Sequence, residues 1–117
     1  SDRSRKMFPA APIVNSNSLG GTATLIQEGV LCLVAVRAIN TTAADAYVQL
    51  FDAAAAADIT LGTTVPSWVV QSDANDPSVG DGFPTNGIIL RNGLVAASTT
   101  TATGLTAATQ HVKFVIM

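Results

Sequence analysis

The run Val30-Leu31-Cys32-Leu33-Val34-Ala35-Val36-Arg37-Ala38-Ile39 constrains the chain more than any other feature. It is rich in β-branched residues and ends on the polar turn formers at Asn40, which reads as a strand. Strict alternation puts Leu31, Leu33, Ala35 and Arg37 on one face and Cys32, Val34, Val36 and Ala38 on the other. Both faces are apolar as far as Arg37. A sandwich strand meets the core with only one face, so this strand calls for a second cover from an arm, a loop or another subunit. Cys32, the only cysteine, reads as a buried inert thiol, and with no second cysteine the chain forms no internal disulfide or Cys-based zinc site.

Further strands follow at regular turn signals. Residues 22–27 alternate modestly, and residues 46–52 form a strand after the polar turn at 40–45, with a helical turn over the alanines at 53–57. Residues 63–71 are extended, and Pro66 there argues for an edge position or a bulge. Residues 87–91 and 94–98 flank Asn92-Gly93, a type I′ hairpin signal, and residues 110–117 close the series. Residues 99–109 are a low-complexity connection of Thr, Ala and Gly. About seven strands in 117 residues support one core. The expected fold is all-β, a single antiparallel β-sandwich of jelly-roll or Ig-like type over residues 22–117. Residues 1–21, with two early prolines, the Asn15-Ser16-Asn17-Ser18 run and Gly20-Gly21, read as an extended N-terminal arm.

Charge separates these two parts. Only 12% of residues are Asp, Glu, Lys or Arg, about half the usual share of roughly 25%. Small polar side chains take their place, and these pack readily against another protein. Arg3, Arg5 and Lys6 are half of all Lys and Arg, while from Met7 onward Arg37, Arg91 and Lys113 face seven carboxylates. An acidic body does not attract nucleic acid through its general field. The basic arm could touch phosphates or an acidic protein surface; three charges are a small footprint beside the several phosphate contacts of strong binders, so a solvated or protein-docked arm is the preferred reading, with Arg3, Arg5, Lys6, Phe8, Ile13 and Val14 as its partner contacts. No signal peptide pattern and no run long enough to cross a bilayer is visible, which points to synthesis in a cytoplasm.

Catalysis needs at least two suitable groups brought together. His111 is the only histidine, and on a strand it shares a face with Lys113, toward solvent or an interface. There is no Gly-x-Ser-x-Gly elbow and no phosphate loop. The long loop at 72–85 gathers Asp73, Asn75, Asp76 and Asp81, oxygen ligands of the kind Ca²⁺ takes. Pro77 and the missing glutamate depart from the helix-loop-helix calcium pattern, so these residues read as turn formers. The expectation is a protein that is not an enzyme and has no metal or cofactor. Trp68 and Phe83, near the same loop, are candidates for stacking on a receptor or carbohydrate.

The stretch from Ala35 to Ala53, with Val36-Arg37 before a short turn and Tyr47-Val48-Gln49-Leu50-Phe51-Asp52-Ala53 after it, resembles small virion proteins of tailed bacteriophages. Gly87-Ile88-Ile89-Leu90 and Gly93-Leu94-Val95-Ala96-Ala97-Ser98 are similar to their later segment, so the likeness touches about half the chain. The resemblance implies a capsid cement or decoration protein, a homo-oligomer with a trimer as the expected number, bound to the major capsid protein on the virion surface. It transfers no catalytic residue. A tail, neck or fibre-base component has the same composition, and a receptor- or carbohydrate-binding module is the alternative from another class.

Overall fold

The computed structural model describes residues 12–75, 83, 84 and 86–117. Among them are eight strands: β1 (Ile13–Leu19), β2 (Thr24–Glu28), β3 (Leu31–Ile39), β4 (Ala46–Asp52), β5 (Trp68–Ser72), β6 (Ile88–Leu90), β7 (Gly93–Thr99) and β8 (Gln110–Ile116). One sheet has the order β1-β8-β3-β6 and the other β2-β7-β4-β5. First pairs with last, second with seventh, third with sixth and fourth with fifth, all antiparallel. That nesting is a long hairpin rolled into two sheets, the jelly roll. Of the two expected sandwich types it is the one present.

The core lies between the sheets. Leu31, Leu33, Val36, Ala38, Val112, Phe114 and Ile116 come from one side, and Val48, Leu50, Val70, Leu94 and Ala96 from the other. The alternation expected for the 30–39 strand is not kept. β3 carries a bulge, its register to β8 shifting between Leu33↔Ile116 and Ala35↔Val115. The extra residue re-phases the strand, so Val36 and Ala38 join Leu31 and Leu33 in the core. Cys32, between the core residues Leu31 and Leu33, is on the outer face and half-buried, not in the core.

Three more expectations change. Residues 13–19, read as part of an arm, are β1, paired with β8 over seven residues. Asn92-Gly93 makes no hairpin, because β6 and β7 belong to different sheets. The chain crosses between sheets there, with Gly93 at φ +151° and Gly29 N–H donating to the Asn92 carbonyl at 2.9 Å. The extended piece after Pro66 forms a strand only from Trp68, and β5 is an edge strand. The helical turn is a single 3-10 turn at Ala56–Asp58.

A buried polar chain ties the two sheets at the other end. Ser72 Oγ donates to Gln110 Oε1 at 2.7 Å, and Gln110 Nε2 donates to Ser98 Oγ at 2.9 Å. Asn40, fully buried, donates to the carbonyls of Ala44 and Ser72 and accepts from Thr42, fixing the 40–45 turn.

Candidate interaction surface

The two outer faces of the sandwich differ. On the sheet β2-β7-β4-β5, the outward side chains of Phe51 and Val95 are covered by residues 53–66, with Ala56, Ile59 and Leu61 packed onto them. Outward Gln49 donates to Thr99 Oγ1 at 2.7 Å and to the Gly104 carbonyl at 3.0 Å, which pins residues 100–109 over the same face. These two covers meet, since a Cβ on Gly62 would stand 2.9 Å from Leu105 Cδ2. Every residue of β7 is buried as a result. The strand with apolar cover on both sides is therefore β7, and the chain supplies that cover itself.

The sheet β1-β8-β3-β6 has no such cover among the described residues. Its outer face carries a row of Val14, Val115 and Ala35, and the backbone of Met117 bonds that of Cys32 in both directions, beside Ile89. Eight large apolar side chains of the described chain are exposed; Val14, Ile89 and Met117 are on the outer side at this end of this sheet, with Val30 just before β3 and Ile13 beside them on the inward side of β1. Clustering matters more than the count, because scattered exposed apolar residues are normal while contiguous ones mark contacts.

The far half of the same face is basic. Arg37 pairs directly with Lys113, Lys113 with Ser16, and His111 with both Ser18 and Ile39. None of the four strands contains Asp or Glu, so the strand residues of this half are basic on a protein whose body is acidic. Lys113, exposed beside Ser16, is a cation that a partner bearing carboxylates would meet. Ser16 Oγ and His111 Nε2 are in hydrogen-bond contact across the β1–β8 pair, and among the described residues no acid is bonded to the histidine as the third group that orients a catalytic base.

Of the expected contact residues, Ile13 and Val14 are on β1 at the apolar end, and Arg3, Arg5, Lys6 and Phe8 lie outside the described residues. Trp68 and Phe83 are brought together, ring centroids 6.1 Å apart and planes at 75°. Both are half-buried and packed against the core. Asp73 accepts from Gln71 Nε2, and Asn75, at φ +58°, donates its N–H to the Thr42 carbonyl. These are turn contacts; Asp76 and Asp81 lie outside the described residues. The described residues contain no group of three or more His, Cys, Asp or Glu able to hold a metal, and no helix long and apolar enough to cross a membrane.

Reasoning from the sequence missed Ile89, Val115, Met117, Lys113 and Arg37 as one surface. The missing signal was the β3 bulge, which decides which residues face outward. No protein-family model matches the chain, and no curated protein or solved structure is significantly similar to it.

Proposed function

We propose that this chain is a non-catalytic structural protein of a phage virion, a capsid cement or decoration protein that docks through the outer face of β1-β8-β3-β6. The observation that carries the reading is the asymmetry of cover: one outer face is closed by the chain's own loops and the other presents an apolar end and a basic half. The jelly roll is a fold shared by viral capsid proteins, lectins and others, so it adds support by analogy only. The partner that fits is a protein surface with an apolar patch rimmed by carboxylates, as on a shell of major capsid subunits. Burial of about 25 cal/mol per Å² of apolar area supplies the holding force, repeated over many copies.

The test is binding to virions stripped of the protein, together with a density map of the intact particle. Ile89→Asp is expected to lose attachment and Val65→Asp, also exposed but in the connection between β4 and β5, to keep it. Attachment is expected to weaken as salt rises, since the basic half acts through exposed charge. Retained binding by Ile89→Asp, or density for the chain on the tail alone, overturns the reading.

A further inference from the structure

We infer that the edge of β1 that no described strand pairs is a two-fold pairing site for a second copy of this chain, joining two sandwiches into one continuous sheet. This rests on the edge of the sheet and does not depend on the virion reading, which uses its face.

A sheet edge presents unpaired N–H and C=O groups, and proteins guard such edges by shortness, bulges, proline or charge. Three of the four edges here are guarded. β6 has three residues. β2 has five, is broken by a register shift between Leu25 and Gln27, and ends on Glu28. β5 has five. β1 has seven, Ile-Val-Asn-Ser-Asn-Ser-Leu, with no charge, no proline, no glycine and no bulge in its register to β8. It is the one edge among the described strands that offers a full-length ladder.

The same seven residues suit an identical partner. A two-fold contact must be self-complementary, and β1 is nearly palindromic about Ser16. Antiparallel pairing centred there sets Ser16 against Ser16, Asn15 against Asn17, Val14 against Ser18 and Ile13 against Leu19. Every pair is neutral, and hydroxyl meets hydroxyl and amide meets amide. Cross-strand pairs of this kind stabilise, whereas like charges would not. Asn15 and Asn17 already bond each other along the strand, Nδ2 to Oδ1 at 2.9 Å, which holds both amides in line for the facing pair. An axis perpendicular to the sheet keeps inner faces inner, so β6-β3-β8-β1 continues into its copy and the two bare outer faces become one. A closed trimer cannot be built from this contact, because an isologous interface relates two copies only.

Light scattering of the full chain is expected to give twice the 11.9 kDa chain mass at tens of micromolar. Amide exchange in residues 13–19 is expected to slow as concentration rises, since the second ladder protects amides that face solvent in the monomer. Ser16 is exposed, and Ser16→Lys or Ser16→Glu sets like charges on the axis, expected to weaken dimerisation about fivefold or more. Mixing the two variants is expected to restore the dimer as a Lys–Glu pair. A monomer or trimer in the wild type, exchange in β1 independent of concentration, or no recovery in the mixture overturns the inference.

Discussion

Phe51→Ala and Ile89→Ala compare the two outer faces by the same kind of truncation. Phe51 is 1% exposed on the outer side of β4, held under Ile59 and Leu61, and Ile89 is 65% exposed on the outer side of β6. Removing a buried phenylalanine costs about 3–5 kcal/mol, and a cover made of loop can settle inward, which favours about 3. Ile89 has only about a third of its surface buried, so truncation forfeits a third of the roughly 1.5–3 kcal/mol of a fully buried side chain, about 0.5–1 kcal/mol. Urea titration followed by tryptophan fluorescence reads both, because Trp68 is the only tryptophan and packs on the core. With a slope of about 1.5 kcal/mol per M, the midpoint is expected to fall by about 2 M for Phe51→Ala and about 0.5 M for Ile89→Ala. The milder Phe51→Leu keeps the comparison readable where the alanine variant does not fold. Equal losses at the two positions would mean that the outer face of β1-β8-β3-β6 is already covered in the free protein, and the argument from an open face would fail.

Gly93→Ala is expected to cost about 3 kcal/mol or more in the same titration, because its Cβ would stand 2.5 Å from the Ala53 carbonyl oxygen and 2.9 Å from that of Gln27, at a φ that side chains rarely adopt; Gly20→Ala, with nothing within 4 Å, is expected to stay within about 0.5 kcal/mol. Burial pushes the Asp52 carboxyl up, but the N–H groups of Asn92, Arg91 and Gly93 and the Asn92 side chain outweigh it and hold it below its ordinary 3.8. A carboxylate lowered on folding stabilises above its unfolded pKa and loses that contribution as pH falls through its folded pKa, so Asp52→Ala is expected to flatten the stability profile below about pH 4 and to leave its shape above pH 5 unchanged. Asn40→Ala removes four hydrogen bonds at a fully buried site, with an expected cost of about 2–3 kcal/mol and faster amide exchange through residues 40–45.

The strands at 31–39, 46–52, 93–99 and 110–116 were legible because β-branched and aromatic residues concentrate there between turn formers. The sandwich followed from their number and spacing. β1 was hidden because Asn15 and Asn17 share the inward side with Ile13 and Leu19, which leaves no apolar alternation to see. Asn92-Gly93 carries a local hairpin signal, yet the partners of β6 and β7 lie in opposite sheets, so the crossing between sheets overrides the preference of the dipeptide. The covered strand escaped notice because β7 is built of Gly, Ala, Ser and Thr around Leu94 and Val95. Small side chains lower its apolar signal while allowing loops to approach closely.

That difference in side-chain size explains why one face closed and the other did not. Outward Val95, Ala97 and Thr99 on β7 leave room for residues 53–66 and 100–109, and Gly21 lets Ala107 approach so nearly that a Cβ there would stand 2.6 Å from the Ala107 Cβ. Outward Val34, Ala35 and Arg37 on β3 and His111, Lys113 and Val115 on β8 are raised by the bulge and by long basic side chains. The connection at 100–109 leaves the sandwich at the end opposite Met117, while the described end of the 73–87 connection brings the Asn86 carbonyl to 3.9 Å from Cys32 Sγ, beside Ile89. An apolar face left open in this way is costly for a free monomer. Keeping it open makes physical sense where a partner closes it, and an edge like β1, with no charge or proline among its seven residues, follows the same logic one strand away.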